Sequence, residues 1–337
     1  MTRRLLALAF TAFVALTLWA QEAQKREMRT VWIATVSNID WPQTRGTGTA
    51  TINKQKKQLT DLLDGFVKAN MNSVCLQVRP MADALYKSSY EPWSSYLTGT
   101  RGQDPGWDPL AFAVEECHKR GLEINAWVNP YRFSNSNGND CNTAIDKQLK
   151  NSGILMQVGN RIVFNPALKA SRDHLLKVCK EMIQNYDIDG IIFDDYFYPG
   201  GGTPEDSSAP DYQLYTQSNS GMSIGDWRRA NVNQMVKDMW DMVQATKPYV
   251  KFSIGPAGVA GQRATSATKH GVVPVDEYCR ASDWQYKTIY SDPLAWLEEG
   301  TIDYISPQLY WKTTHVTNPF GPLTNWWSYI AEHFVAK

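Results

Sequence analysis

The 337-residue chain carries no net charge, with 34 Lys+Arg against 34 Asp+Glu. No basic surface able to hold a phosphate backbone is encoded, so nucleic acid is not an expected partner. Cysteine is sparse and odd in number (Cys75, Cys117, Cys141, Cys179, Cys279), which excludes a disulfide scaffold. No CxxC, HxH or HExxH occurs and the five His are scattered, so no metal site is expected. Dinucleotide and phosphate-loop fingerprints are missing too. Gly200, Gly201 and Gly202 follow Pro199 without a helix start, so no cofactor is expected. Nothing in the sequence bears on oligomeric state.

Long hydrophobic runs are absent apart from residues 5–19, which follow Arg3 and Arg4. Ala20 then gives way to polar Gln21 and Glu22. This order reads as a secretory signal peptide over residues 1–20. The run is shorter than the ~20 residues a bilayer-spanning helix needs; an uncleaved anchor is the alternative. No Cys lies beside the cleavage point, which disfavours a lipid anchor. Residues 26–337 are expected to form one exported barrel domain in the periplasm or extracellular envelope, without stable membrane insertion.

Apolar runs are present at 31–36, 73–79, 123–128, 190–194, 251–255 and 303–308. Between them lie amphipathic stretches at 52–69, 108–120, 167–185, 226–246 and 292–299, with another at about 325–335. Asp108-Pro109 and Asp292-Pro293 mark helix starts, Asp226 is a candidate cap, and Gly121 and Gly300 mark stops. Strict alternation implies parallel strands with crossovers. ILMQV and RIVFN around Gly159-Asn160 read as an inserted hairpin. Too little chain follows Trp311 for the two further units of a closed barrel. The expected fold class is α/β, a (β/α)8 TIM-barrel type cut short after about six units. An open doubly wound sheet is the alternative.

Buried parallel strands should be almost wholly apolar, yet four runs carry polar residues towards their C-terminal ends. Alternation places Gln77 with Arg79, Asn129 with Trp127, Asp194 with Tyr196, and Gln308 with Tyr310. If these faces point inward, Arg79, Asn129, Asp194, Tyr196, Gln308 and Tyr310 line one concave site. Asp194 and Asp195 end the fourth run; Asp194 is the inward carboxylate, and Asp195 faces the helix layer or turns into the loop. An inward Asp can serve as nucleophile, acid/base or electrostatic stabiliser; a structural pair with Arg79 is the bland alternative. Asp83 either contacts substrate hydroxyls or caps a turn. Arg228 and Asn231, three apart at a helix start, form either an anion or acetamido site or a solvated face.

Aromatics are 12% of the chain, with 13 Trp. Trp127, Tyr196, Tyr198, Tyr310 and Trp311 fall at the same strand ends. Flat rings pack on sugar C–H faces while polar side chains bind hydroxyls, a combination that suits a carbohydrate.

The segments REMRTVWIATVSNIDWP, QVRPMADALYKSSYEPWSSYLTG, GWDPLAFAVEECHKRGLEINAWVNPYR, DGIIFDDYFYP, DWRRANVN and GTIDYISPQLYW resemble the "glycosyl hydrolase family 10-like" proteins, the YngK-like or DigH-type family. The resemblance runs from about Arg26 to Trp311. It implies a (β/α)8 barrel and hydrolysis of peptide-free peptidoglycan strands between N-acetylmuramic acid and N-acetylglucosamine. The family often has His where this chain has Asn125 and Ile192, and its pattern continues beyond residue 337. On this reading Asp194, then Asp195, are the catalytic candidates. Arg79, Asp83, Asn129, Arg132, Arg228, Asn231, Gln308 and Tyr310 bind polar substrate groups, and Trp127, Tyr196, Tyr198 and Trp311 shape the subsites. The rival readings are a non-catalytic glycan-binding barrel and a hydrolase of another dietary or host polysaccharide.

Overall fold

In the computed structural model, which describes residues 27–335, the apolar runs become strands of one parallel sheet. They are β1 (Thr30–Ile33), β2 (Ser73–Arg79) and β3 (Glu123–Val128). An excursion follows, made of β4 (Arg132–Ser134), β5 (Leu155–Val158) and β6 (Arg161–Phe164). The sheet resumes with β7 (Gly190–Phe193), β8 (Lys251–Ile254) and β9 (Tyr304–Ile305). Its order is β1-β2-β3-β7-β8-β9, parallel throughout. Sequential strands without a reversal exclude the doubly wound alternative, which needs a switch point.

The sheet curls into a half-barrel. Trp32 of β1 lies against Gly255 just beyond β8, and the Tyr304 hydroxyl of β9 donates across the interior to Asn125 Oδ1 at 3.4 Å. Both sheet edges are short. β1 stops at Ile33 rather than residue 36, because the chain enters a tight turn with positive φ at Ser37 and Asn38. β9 is only two residues long: Pro307 has no N–H to offer a ladder, and pairing resumes as a single bridge between Ala257 and Gln308.

The helices include the crossovers α1 (Thr49–Lys68) and α2 (Pro109–His118), then α3 (Ala144–Asn151) inside the excursion, the crossovers α4 (Lys169–Asn185), α5 (Ile224–Thr246) and α6 (Pro293–Glu298), and α7 (Phe320–Val335) after β9. Asp108 caps α2 by accepting from Ala111 N at 3.0 Å, with Pro109 in the first turn. Asp226 does not cap α5. Ser223 does, accepting from Asp226 N at 3.1 Å, and Asp226 sits inside the first turn. The inserted hairpin forms as expected around Gly159 and gains a third strand, β4. The signal-peptide reading falls on residues outside those described. No helix among the described residues is long and apolar enough to cross a membrane.

Candidate active site

At the C-terminal strand ends the inward row opens into a cavity of about 430 Å³. Trp127, Asn129, Arg132, Asp194, Tyr196, Gln308 and Tyr310 all line it. The register sets this convergence: Gln77 pairs with Trp127, which pairs with Ile192. Long loops above this end of a parallel barrel are where catalytic groups gather.

Asp194 is 3% exposed. The Trp127 indole Nε1 donates to its Oδ2 at 3.3 Å, and Tyr196 N donates to Oδ1 at 3.4 Å. Burial pushes the carboxyl up to about 7; Asp195 adds to the rise, while the Arg132 charge and the two hydrogen bonds oppose it. The Arg132 guanidinium lies 4.0 Å from the Tyr196 ring centroid, a cation–π stack at the lip of the cavity.

Asp195 does not join the helix layer. β7 ends at Phe193, and the chain turns tightly, with Phe197 N donating to Asp195 O at 3.1 Å. Strand alternation no longer applies, and Asp195 turns into an adjoining cavity of about 360 Å³, which Gln308, Tyr310 and Trp311 also line. Its carboxyl is raised by burial, with Gln308 and Arg132 opposing. Gln308 is fixed by its amide donating to Gly255 O at 2.7 Å, and it accepts from the Tyr310 hydroxyl at 2.6 Å. Tyr198 is buried, its hydroxyl donating to Asp211 at 3.4 Å, and it lines the side cavity beyond Tyr196.

Four expected site residues lie elsewhere. In Arg79 the alternation fails because β2 bulges: Gln77 pairs with Trp127, but Arg79 pairs with Val128. The extra residue turns Arg79 to the outer face. There it forms a fully buried two-pronged pair with Glu91 (2.7 and 2.5 Å) and donates to the carbonyls of Asn129 and Pro130. Its structural partner is therefore Glu91, not Asp194. Asp83 is buried against Arg101 at 3.2 Å and accepts from Met81 N; burial raises its carboxyl to about 6. Arg228 is wholly buried, gripping Asp211 at 2.9 and 2.6 Å and the carbonyls of Thr203 and Pro204. It clamps the 203–211 loop onto α5. Asn231 donates to Trp227 O within α5.

Among the cavity residues left unassigned from sequence are Trp32 and Gln77. Trp32 packs edge-on against Trp127 with ring centroids 4.9 Å apart. Gln77 accepts from Thr35 N and Val36 N, tying the end of β1 to the cavity wall. Alternation in VWIATV and SVCLQVR was the available signal for both. Among the described residues no group of three His, Cys, Asp or Glu is placed to hold a metal ion.

A parallel half-barrel with a buried carboxylate and aromatic walls at its C-terminal mouth places the chain among α/β barrel-type folds with a site at the strand ends. Residues 27–335 match the Glycosyl hydrolase-like 10 model, and the chain belongs to that family. It is 41% identical over 333 residues to Glycosyl hydrolase YngK of Bacillus subtilis (strain 168), covering 97% of this chain and 62% of that protein. It is 32% identical over 327 residues to Glycosyl hydrolase DigH of Escherichia coli (strain K12), covering 92% of this chain and 72% of that protein. The chain thus spans less than two thirds of the Bacillus relative. Among solved structures, the PgaB (BpsB) glycoside hydrolase domain from Bordetella bronchiseptica shares the fold. Its TM-score is 0.53 at 11% identity, covering 84% of this chain and 74% of that one.

Proposed function

We propose that this protein is an exported glycoside hydrolase acting on amino-sugar glycan, with peptide-free peptidoglycan strands as substrate. The observation that carries the reading is Asp194: a buried carboxyl raised to about 7, inside a sugar-sized cavity walled by Trp127, Tyr196 and Tyr310. A carboxyl with that affinity keeps about half of its population protonated near pH 7 and can act as general acid. Asp194 gives its proton to the glycosidic oxygen as the anomeric C–O bond breaks, and water adds to the anomeric carbon and returns a proton to the Asp194 carboxylate or to solvent. Asp195, facing the next cavity, is the second carboxylate, set against the positive charge that develops on the sugar. Asn129 and Gln308 hold hydroxyl and acetamido groups. The names of the relatives support hydrolysis of glycosyl bonds, and residues 1–20 support export into the compartment where such strands lie.

The test is mass spectrometry of products from a panel containing peptide-free peptidoglycan strands, chitin oligosaccharides and neutral plant polysaccharides. Short oligosaccharides from the first are expected. Cleavage of only the last group would replace the substrate, and binding without cleavage of any would leave a glycan-binding barrel.

A further inference from the structure

The inserted three-stranded sheet presents one face to the mouth of the site. Alternation puts Ile162 and Phe164 on one side of β6 and Arg161 and Val163 on the other. Ile162 and Phe164 are buried, Phe164 stacking on the His174 ring at 5.0 Å. The opposite face meets the loop after β7. Arg132 of β4 lies opposite Val163, so Arg132, Val163 and Arg161 form one row. The Arg161 guanidinium reaches the glycine turn of that loop: a Cβ built on Gly201 would stand 3.8 Å from Arg161 Nη1.

Between this row and residues 196–200 lies a cavity of about 390 Å³, to which Asn135 and Asn160 also contribute. It shares Arg132 and Tyr196 with the cavity of Asp194, so the two are contiguous. Its lining contains two guanidinium groups and no carboxylate. Among the described residues neither Arg132 nor Arg161 makes a hydrogen bond or ion pair through its guanidinium. Three buried arginines elsewhere in the fold behave differently: Arg79, Arg101 and Arg228 each close on a carboxylate. The Arg132 charge also acts on Asp194 and Asp195, but Arg161 has no carboxylate beside it among the described residues. An uncompensated guanidinium fork facing this cavity favours an anion there and matches a carboxylate.

We propose that this cavity is a subsite for a sugar residue carrying a carboxylate, held by Arg161 and Arg132 beside the bond to be cut. The inference rests on the glycoside hydrolase reading and assigns recognition of its acidic sugar to Arg161 together with Arg132. Asn135 and Asn160 supply amide groups for the hydroxyl or acetamido substituents of the same sugar.

The test measures binding by isothermal titration calorimetry in the Asp194→Asn background, which prevents turnover. The probes are a peptide-free tetrasaccharide of alternating N-acetylglucosamine and N-acetylmuramic acid, its carboxyl methyl ester, and chitotetraose. The free acid is expected to bind about ten- to a hundredfold more tightly than its ester, the loss typical of a charge-assisted bond. Adding Arg161→Gln removes that difference while leaving the ester unchanged, and Arg161→Lys restores part of it. Equal binding of acid and ester, or an equal loss on both with Arg161→Gln, overturns the inference and leaves the hydrolase reading standing. No binding of any probe, with no cleavage by the unaltered protein, sinks both.

Discussion

The Trp127 indole and the Asp194 carboxylate meet across neighbouring strands, with Nε1 donating to Oδ2 at 3.3 Å. Trp127 pairs with Ile192, two residues before Asp194, so the bond follows from strand register. It favours the ionised carboxylate and so opposes the burial that lifts this group. Trp127→Phe keeps the aromatic wall and deletes the donor. The high-pH limb of kcat/KM, expected near pH 7 in the unaltered protein, should move up by roughly 0.5–1 unit. Measurement across pH 5–9 checks this; an unmoved limb means another group sets it.

Asp195 acts in the opposite direction on Asp194, raising its affinity for a proton. Asp195→Asn should therefore lower it, a shift that carboxyl 13C NMR titration reads without any need for turnover.

The same electrostatics links stability to pH. Asp194 binds its proton more tightly folded than unfolded, with about 7 against an ordinary value of 3.8. Its contribution is fully present below the unfolded value and is lost as pH rises through the folded one. Asp194→Asn should consequently raise Tm relative to the unaltered protein at pH 8 and confer little gain at pH 4. Thermal melts at the two values decide it, and an equal change at both contradicts the assignment.

Arg79 and Glu91 are both wholly buried, and Glu91 also accepts from His174 at 3.2 Å. Opposing the burial, the Arg79 charge and the bonds to it hold the Glu91 carboxyl down at about 2. Its stabilisation is present above the unfolded value and is lost as pH falls through about 2. Glu91→Gln leaves a buried guanidinium uncompensated and should cost about 3–5 kcal/mol at pH 7, read by urea denaturation.

Gly190 opens β7 where Asn125 of the paired strand projects inward; a Cβ there would overlap Asn125 Oδ1 and crowd Lys251 O. Gly190→Ala should destabilise the fold by about 1–3 kcal/mol, the usual cost of forcing extra volume into a packed core. A shorter inward side chain relieves the overlap, so the double variant with Asn125→Ser should recover part of the loss.

The barrel topology was legible because strand and helix periods alternate cleanly from residue 30 to residue 305. Asp194, Trp127, Asn129 and Gln308 were legible because polar residues at period two break apolar strands. Arg79 was not, since a bulge adds one residue to β2 and reverses every face after it. Asp195 follows the same lesson: alternation ends with β7 at Phe193, and turn geometry takes over. Arg228 looked like a site residue at a helix start because its partner, Asp211, is 17 residues away on a loop whose path no periodicity encodes. Arg161 escaped notice because its face depends on the pairing of β4 with β6, and β4 was not anticipated.

The most direct measurement is reducing-end release from peptide-free peptidoglycan strands by the unaltered protein and by Asp194→Asn, with strand binding followed in parallel. Release by the former, a loss of at least a hundredfold in the latter and retained binding in both are expected. Undiminished release by Asp194→Asn would contradict the assignment of Asp194 as the proton donor at the cleaved bond.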